Sequence, residues 1–173
     1  MTVLVTGGSG NTGRILSRLL NEANIPLLSC SRRHGGTAPS PYKSVKFDWF
    51  DERTFENPFK TDPNIDRVYL IVPSVMDQLS TVKPFIDLAI SKGVKRFVLL
   101  TGSRIEMGSP VLMGKVHEYL LDIKVDYTVL RPSWFMRTFF SIRITNIKTD
   151  ADNVYRKLWH HFLSEHSRTE RNL

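Results

Sequence analysis

Residues 6–13, TGGSGNTG, decide how this chain folds. The four residues before them, Thr2, Val3, Leu4 and Val5, form a short run rich in β-branched and aliphatic side chains, the pattern of a strand buried on both faces. The residues after them place Ile15, Leu16, Leu19, Leu20 and Ala23 at helical spacing over 14–23. A glycine cluster between a strand and a helix has a physical use there. Gly7 permits a tight turn, Gly10 lets the main chain approach a pyrophosphate, and Gly13 lets the helix pack close to the sheet. The helix N-terminus then faces the phosphates with unpaired N–H groups and a favourable dipole. A plain strand-to-helix turn needs only one or two glycines, so the motif favours dinucleotide binding, with Thr6, Gly7, Gly8, Gly10, Asn11, Thr12 and Gly13 as the residues around the phosphates.

Outward from this turn, short apolar runs alternate with turn signals. Strands are expected over 2–6, 26–31, 45–48, 67–72, 96–101 and 127–131, the last ended by Pro132. Helices are expected over 76–92, with Gly93 just past its end, and over 112–122. This alternation predicts an α/β fold, a doubly wound parallel sheet with right-handed crossovers. The segment 141–173 breaks the rhythm. It divides the chain into an expected nucleotide-binding domain, 1–140, and a divergent C-terminal tail, 141–173.

Composition excludes several classes of function. The 173 residues are 41% hydrophobic and 10% aromatic, enough for one real core. No stretch approaches the roughly 18 apolar residues of a membrane span, and the N-terminus has no secretory pattern, so a cytoplasmic protein with no membrane partner is expected. Cys30 stands alone and no Cys/His spacing suits zinc, so no metal site is expected. The net charge of +7 raises the question of nucleic acid. Its excess is spread along the chain, and the one tight basic cluster in the first half is Arg32, Arg33 and His34, so no nucleic-acid partner is expected.

That cluster has a better use. The end of the second strand selects the cofactor: a carboxylate accepts the 2′-hydroxyl of NAD, whereas guanidiniums pair with the 2′-phosphate of NADP. Here the chain reads SCSRRH, and Arg32 with Arg33 points to NADP(H). Asp48, at the end of the third expected strand, is a candidate partner for the adenine amino group. Pro73, after the fourth, is a candidate for backbone contact with the cofactor, and Ser103, after the fifth, for a hydrogen bond to ribose or substrate. Trp134 and Phe135, after the sixth, are candidate walls of a substrate pocket.

The glycine turn, the stretches KFDWFDERTFENPF, FIDLAISKGVKRFVLL and MGKVHEYL, and the run DYTVLRPSWFM together resemble, in order, the fungal ergot-alkaloid reductases of the NmrA-like atypical short-chain dehydrogenases. The resemblance covers about residues 1–140. It implies a Rossmann-type NADP(H)-binding fold and NADPH-dependent reduction of a clavine iminium, an indole alkaloid. It also implies that the final strands and substrate cap of the relatives are missing here, leaving a weak or inactive reductase. A noncatalytic NADP sensor of the same NmrA-like type is the alternative.

The residues depart from the wider superfamily in one respect. A tyrosine followed four residues later by lysine is the usual proton-transfer pair, but Tyr119 precedes Ile123, and Tyr42, which does precede Lys46, lies far from the expected helix. Where some relatives carry a helix lysine this chain has Met113, with Lys115 two residues on. No catalytic residue is assigned. An iminium carbon is already electrophilic, and hydride addition yields a neutral amine with no oxyanion to protonate. His117, on an apolar helix, is expected to be structural.

Overall fold

The computed structural model describes residues 1–32, 42–110 and 112–132. Its strands are β1 (Thr2–Val5), β2 (Leu27–Ser31), β3 (Lys43–Lys46), β4 (Ile65–Leu70), β5 (Arg96–Leu100) and β6 (Asp126–Leu130). They form one parallel sheet in the order β3-β2-β1-β4-β5-β6. The helices are α1 (Asn11–Glu22), α2 (Asn57–Thr61), α3 (Gln78–Ser91) and α4 (Gly114–Asp122), with a short 3-10 turn over Glu52–Thr54. Strand order reverses between β1 and β4, and because every pair is parallel all the C-terminal ends lie along one edge. Ligands bind open α/β sheets at such a switch point.

Alternation along the strands builds two apolar layers. Leu4, Leu28, Cys30, Val68, Leu70, Phe97 and Leu99 pack in one cluster with Val82, Phe85, Ile86 and Ala89 of α3 and Val116 and Leu120 of α4. Val3, Val5, Leu27 and Val98 are buried outside that cluster, as are Leu16, Leu19 and Leu20 of α1, which packs on β1 and β2. Helices therefore cover both sides of the sheet. Among the described residues, no helix is long and apolar enough to cross a membrane.

The architecture agrees with the expected α/β sheet, and the boundaries differ where local geometry decides. Helix α1 starts at Asn11 rather than at residue 14, because Gly10, extended at φ −76° and ψ 174°, is its N-cap. Strand β3 ends at Lys46, so Asp48 lies in the following turn and does not end the strand. Helix α4 starts at Gly114 because Leu112 has φ +56°, which no helical residue adopts. Periodicity assigned no element between the third and fourth strands, where the 3-10 turn and α2 are found. Asp51 caps the first by accepting from Arg53 N, and Pro58 stands in the first turn of the second. The expected boundary between 140 and 141 falls outside the described residues.

Candidate functional site

The glycine turn sits at the switch point, and its glycines serve different purposes. Gly7 has φ +65°, a left-handed conformation, with Ile71, just beyond β4, 3.3 Å from where a Cβ would stand. Gly8 is buried: its N–H donates to the Cys30 carbonyl at 2.9 Å, and a Cβ would lie 1.9 Å from Ser29 Oγ. Gly13 packs against main chain, since a Cβ there would lie 2.4 Å from the Gly7 carbonyl oxygen. Gly10 is exposed, and the sole atom near its missing Cβ is the Gly7 oxygen at 3.1 Å. Gly7, Gly8 and Gly13 hold the turn against the sheet, and Gly10 leaves its outer side open.

This turn presents amides to the edge. Arg14 N donates to the Gly10 carbonyl, so the amides of Asn11, Thr12 and Gly13 precede the first intrahelical bond and have no carbonyl one turn back. No acidic residue stands in the first turn of α1 to oppose an anion. The residues fit a diphosphate. Thr6 has a different role from the one expected. Its hydroxyl is buried, donates to the Tyr69 carbonyl at 2.9 Å and accepts from Ile71 N at 2.8 Å, tying the end of β1 to the chain beyond β4.

Arg32 is exposed at a bend immediately after β2. Ser31 stands in register with Lys46 at the end of β3, so a second cation borders the same end of the sheet. Sequence reasoning missed Lys46, because register between two parallel strands cannot be read from either strand alone. Arg33, Trp134 and Phe135 lie outside the described residues. Asp48 accepts from Phe50 N at 3.1 Å through Oδ1, which orients the carboxylate from within its own turn.

Trp49, also missed, ties this turn to the switch point by donating from Nε1 to the Ile71 carbonyl at 3.1 Å. Its ring meets Phe47, Phe55 and Phe85 edge-on, with centroids 4.8, 6.1 and 5.3 Å away. The Pro73 carbonyl accepts from Gln78 Nε2 at 2.8 Å and from Val75 N at 3.0 Å, which leaves the proline ring as the surface it offers. Ser103 is exposed, and its backbone is held by Ser103 N to the Pro132 carbonyl at 3.0 Å.

The groups that could move protons have other engagements. The Tyr119 hydroxyl donates to Asp87 of α3, which also pairs with Lys83 at 2.6 Å. Partial burial, followed by that bond, raises the Tyr119 pKa. His117 meets Tyr127 edge-on at 5.5 Å, and burial together with the Arg131 charge lowers its pKa, favouring the neutral ring. Burial pushes the Cys30 thiol far up, so it is no thiolate nucleophile. Met113 packs on the core before α4.

No protein-family model matches the chain. It is 46% identical over 143 residues to agroclavine dehydrogenase of Claviceps purpurea, covering 80% of this chain and 48% of that protein. It is 44% identical over 142 residues to festuclavine synthase I of Penicillium roqueforti, covering 79% of this chain and 48% of that protein. The chain thus spans about half the length of these relatives. Among solved structures, the triphenylmethane reductase of Citrobacter sp., complexed with NADP(H), superposes with a TM-score of 0.66 at 18% identity, over 80% of this chain and 52% of that one. That likeness is one of fold. Over about four-fifths of its length, the chain is similar in sequence to the agroclavine dehydrogenases and festuclavine synthases.

Proposed function

We propose that this chain binds NADP(H) and contributes to the reduction of a clavine iminium in ergot alkaloid biosynthesis, in the cytoplasm, with residues 1–140 as the nucleotide-binding part. The observation that carries the reading is the pairing of the helix N-terminus at Gly10–Gly13, open to the outside at Gly10 and Asn11, with the cations Arg32 and Lys46 on one edge of the sheet. The relatives' names supply the substrate class.

In this reading the Asn11, Thr12 and Gly13 amides bind the pyrophosphate, and Gly10 provides the clearance for it. Arg32, with Arg33 and Lys46, pairs with the 2′-phosphate. Asp48 accepts from the adenine amino group, while Pro73 and Ser103 border the cofactor further along the edge. Trp134 and Phe135 wall the substrate. NADPH, when bound, supplies a hydride. Because reduction of an iminium ends in a neutral amine, the protein has to align the reactants and exclude water, and the engagement of Tyr119, His117 and Cys30 elsewhere is compatible with that.

The test mixes the chain with NADPH and a clavine iminium and follows NADPH loss alongside direct titration of NADPH. Binding with consumption is expected. A dinucleotide sensor of the same fold would bind without consuming, and a chain that fails to bind would end the reading.

A further inference from the structure

Two buried polar atoms at the ligand edge of the sheet have no hydrogen-bond partner: Gln78 Oε1 and Thr101 Oγ1. Gln78 is 3% exposed and Thr101 7%. The other two such atoms among the described residues, Ser17 Oγ and Asp66 Oδ1, belong to the middle of α1 and the start of β4, away from this edge. Unpaired buried polar atoms are rare in native folds and ask for an explanation.

Both belong to the same edge of the sheet. Gln78 opens α3, and its Nε2 bond to the Pro73 carbonyl fixes its amide over the chain just beyond β4. Thr101 follows β5, with its N–H on the Leu130 carbonyl at 2.9 Å. Leu70 and Leu99 are in register, so two residues further on the chains run side by side. Thr101 lies on the same strand face as Leu99, the face that α3 covers. Both groups therefore adjoin the wedge between the C-terminal ends of β4 and β5 and the first turn of α3.

A glutamine Oε1 only accepts, and a threonine hydroxyl both donates and accepts, so together they suit a hydroxyl that gives one hydrogen bond and takes another. Position selects which hydroxyl. The cations for the 2′-phosphate lie on the β2 and β3 side of the switch point and the amide cradle lies at β1, so the far end of an extended dinucleotide reaches β4 and β5. We propose that Gln78 and Thr101 bind a hydroxyl of the ribose that carries the nicotinamide, an assignment that rests on the NADP(H) reading above. Both atoms are closed to solvent, so the proposal requires the chain between β4 and α3, which carries Met76 at 96% exposure, to give way as the hydroxyl enters.

The experiment titrates the full chain, Thr101→Val and Thr101→Ser with NADPH and with adenosine 2′,5′-bisphosphate, which keeps the phosphorylated adenosine and lacks the second ribose. Thr101→Val is expected to weaken NADPH about tenfold, the weight of one hydrogen bond, while the bisphosphate binds as before. Thr101→Ser is expected to keep NADPH affinity. Without ligand, Thr101→Val should melt at the same temperature as the wild type or higher, since it removes an unpaired buried hydroxyl without changing shape. Thr101→Ala gives the same binding contrast if the valine is not accommodated. Unchanged NADPH affinity in Thr101→Val, or a parallel loss of both ligands, would overturn the assignment. Wild-type protein that binds neither ligand would instead overturn the NADP(H) reading on which it rests.

Discussion

The two walls of the crevice are built differently. On one, the glycine turn is fixed by main chain against main chain: Gly13 lies on the Gly7 carbonyl and Gly8 donates to Cys30. On the other, the loops after β3 and β4 are fixed by side chains, with Trp49 and Thr6 on the backbone of Ile71 and Gln78 on Pro73. A position packed against backbone on every side, such as Gly13, tolerates no added atom. A wall tied by single side-chain bonds loosens step by step, and substitutions should separate the two.

The largest effect is expected within the first wall. Gly13→Ala places a methyl group 2.4 Å from the Gly7 oxygen and 2.9 Å from the Gly7 carbonyl carbon and Gly8 Cα, all backbone atoms that cannot rotate away. A loss of about 3 kcal/mol is expected from such overpacking, and it should appear as a lower urea midpoint and melting temperature. Gly10→Val, three residues earlier, meets only the Gly7 oxygen at 3.1 Å and projects outward. It should cost about 1 kcal/mol of stability yet abolish NADPH binding. If the two glycines proved interchangeable in both assays, the division of the turn into packing and ligand positions would be wrong.

This contrast also explains what the sequence could disclose. A position that excludes every side chain can be filled only by glycine, so Gly13 was legible, and Gly7 by its left-handed turn; Gly10 was legible from the clearance a ligand needs, and the buried strands from their runs of Val, Leu and Ile. Trp49 was not, because an aromatic residue reads the same whether it fills a core or tethers a loop. Neither were Lys46, placed beside Ser31 by parallel register, nor α2, five residues long and too short to show a period. Asp48 was found as a candidate and misplaced as the end of a strand, since the turn that holds it depends on Thr54, whose hydroxyl accepts from Asp48 N six residues away. Local patterns show what the backbone requires, and tertiary contacts fix the rest.

A smaller effect is expected where the two walls share the ligand. Arg32 is exposed after β2, and its substitution should leave folding unchanged. Arg32→Ala should remove a charge-assisted pair worth roughly 1.5 to 3 kcal/mol, lowering NADPH affinity roughly ten- to a hundredfold while NADH affinity stays constant. Titration of both nucleotides gives the ratio directly. A ratio that does not move would remove Arg32 from the phosphate site.

The smallest effect is expected in the second wall. Trp49→Phe keeps an aromatic ring among Phe47, Phe55 and Phe85 and deletes only the N–H that reaches the Ile71 carbonyl. The Thr6 hydroxyl lies 3.4 Å from that carbonyl but gives its one proton to Tyr69, so the indole bond is the one lost, at an expected cost of about 1 kcal/mol. For a chain of this size that corresponds to roughly 2 to 4 °C in melting temperature. Asp48 is the neighbour of Trp49, and loosening the tether lets its carboxylate wander from the position its turn sets, so NADPH affinity should fall a few-fold while adenine-free ligands such as pyrophosphate bind unchanged. A drop in stability as large as that of Gly13→Ala would show that the second wall is as unforgiving as the first, and an unchanged melting temperature with unchanged NADPH affinity would show that the Trp49 bond ties nothing the ligand needs.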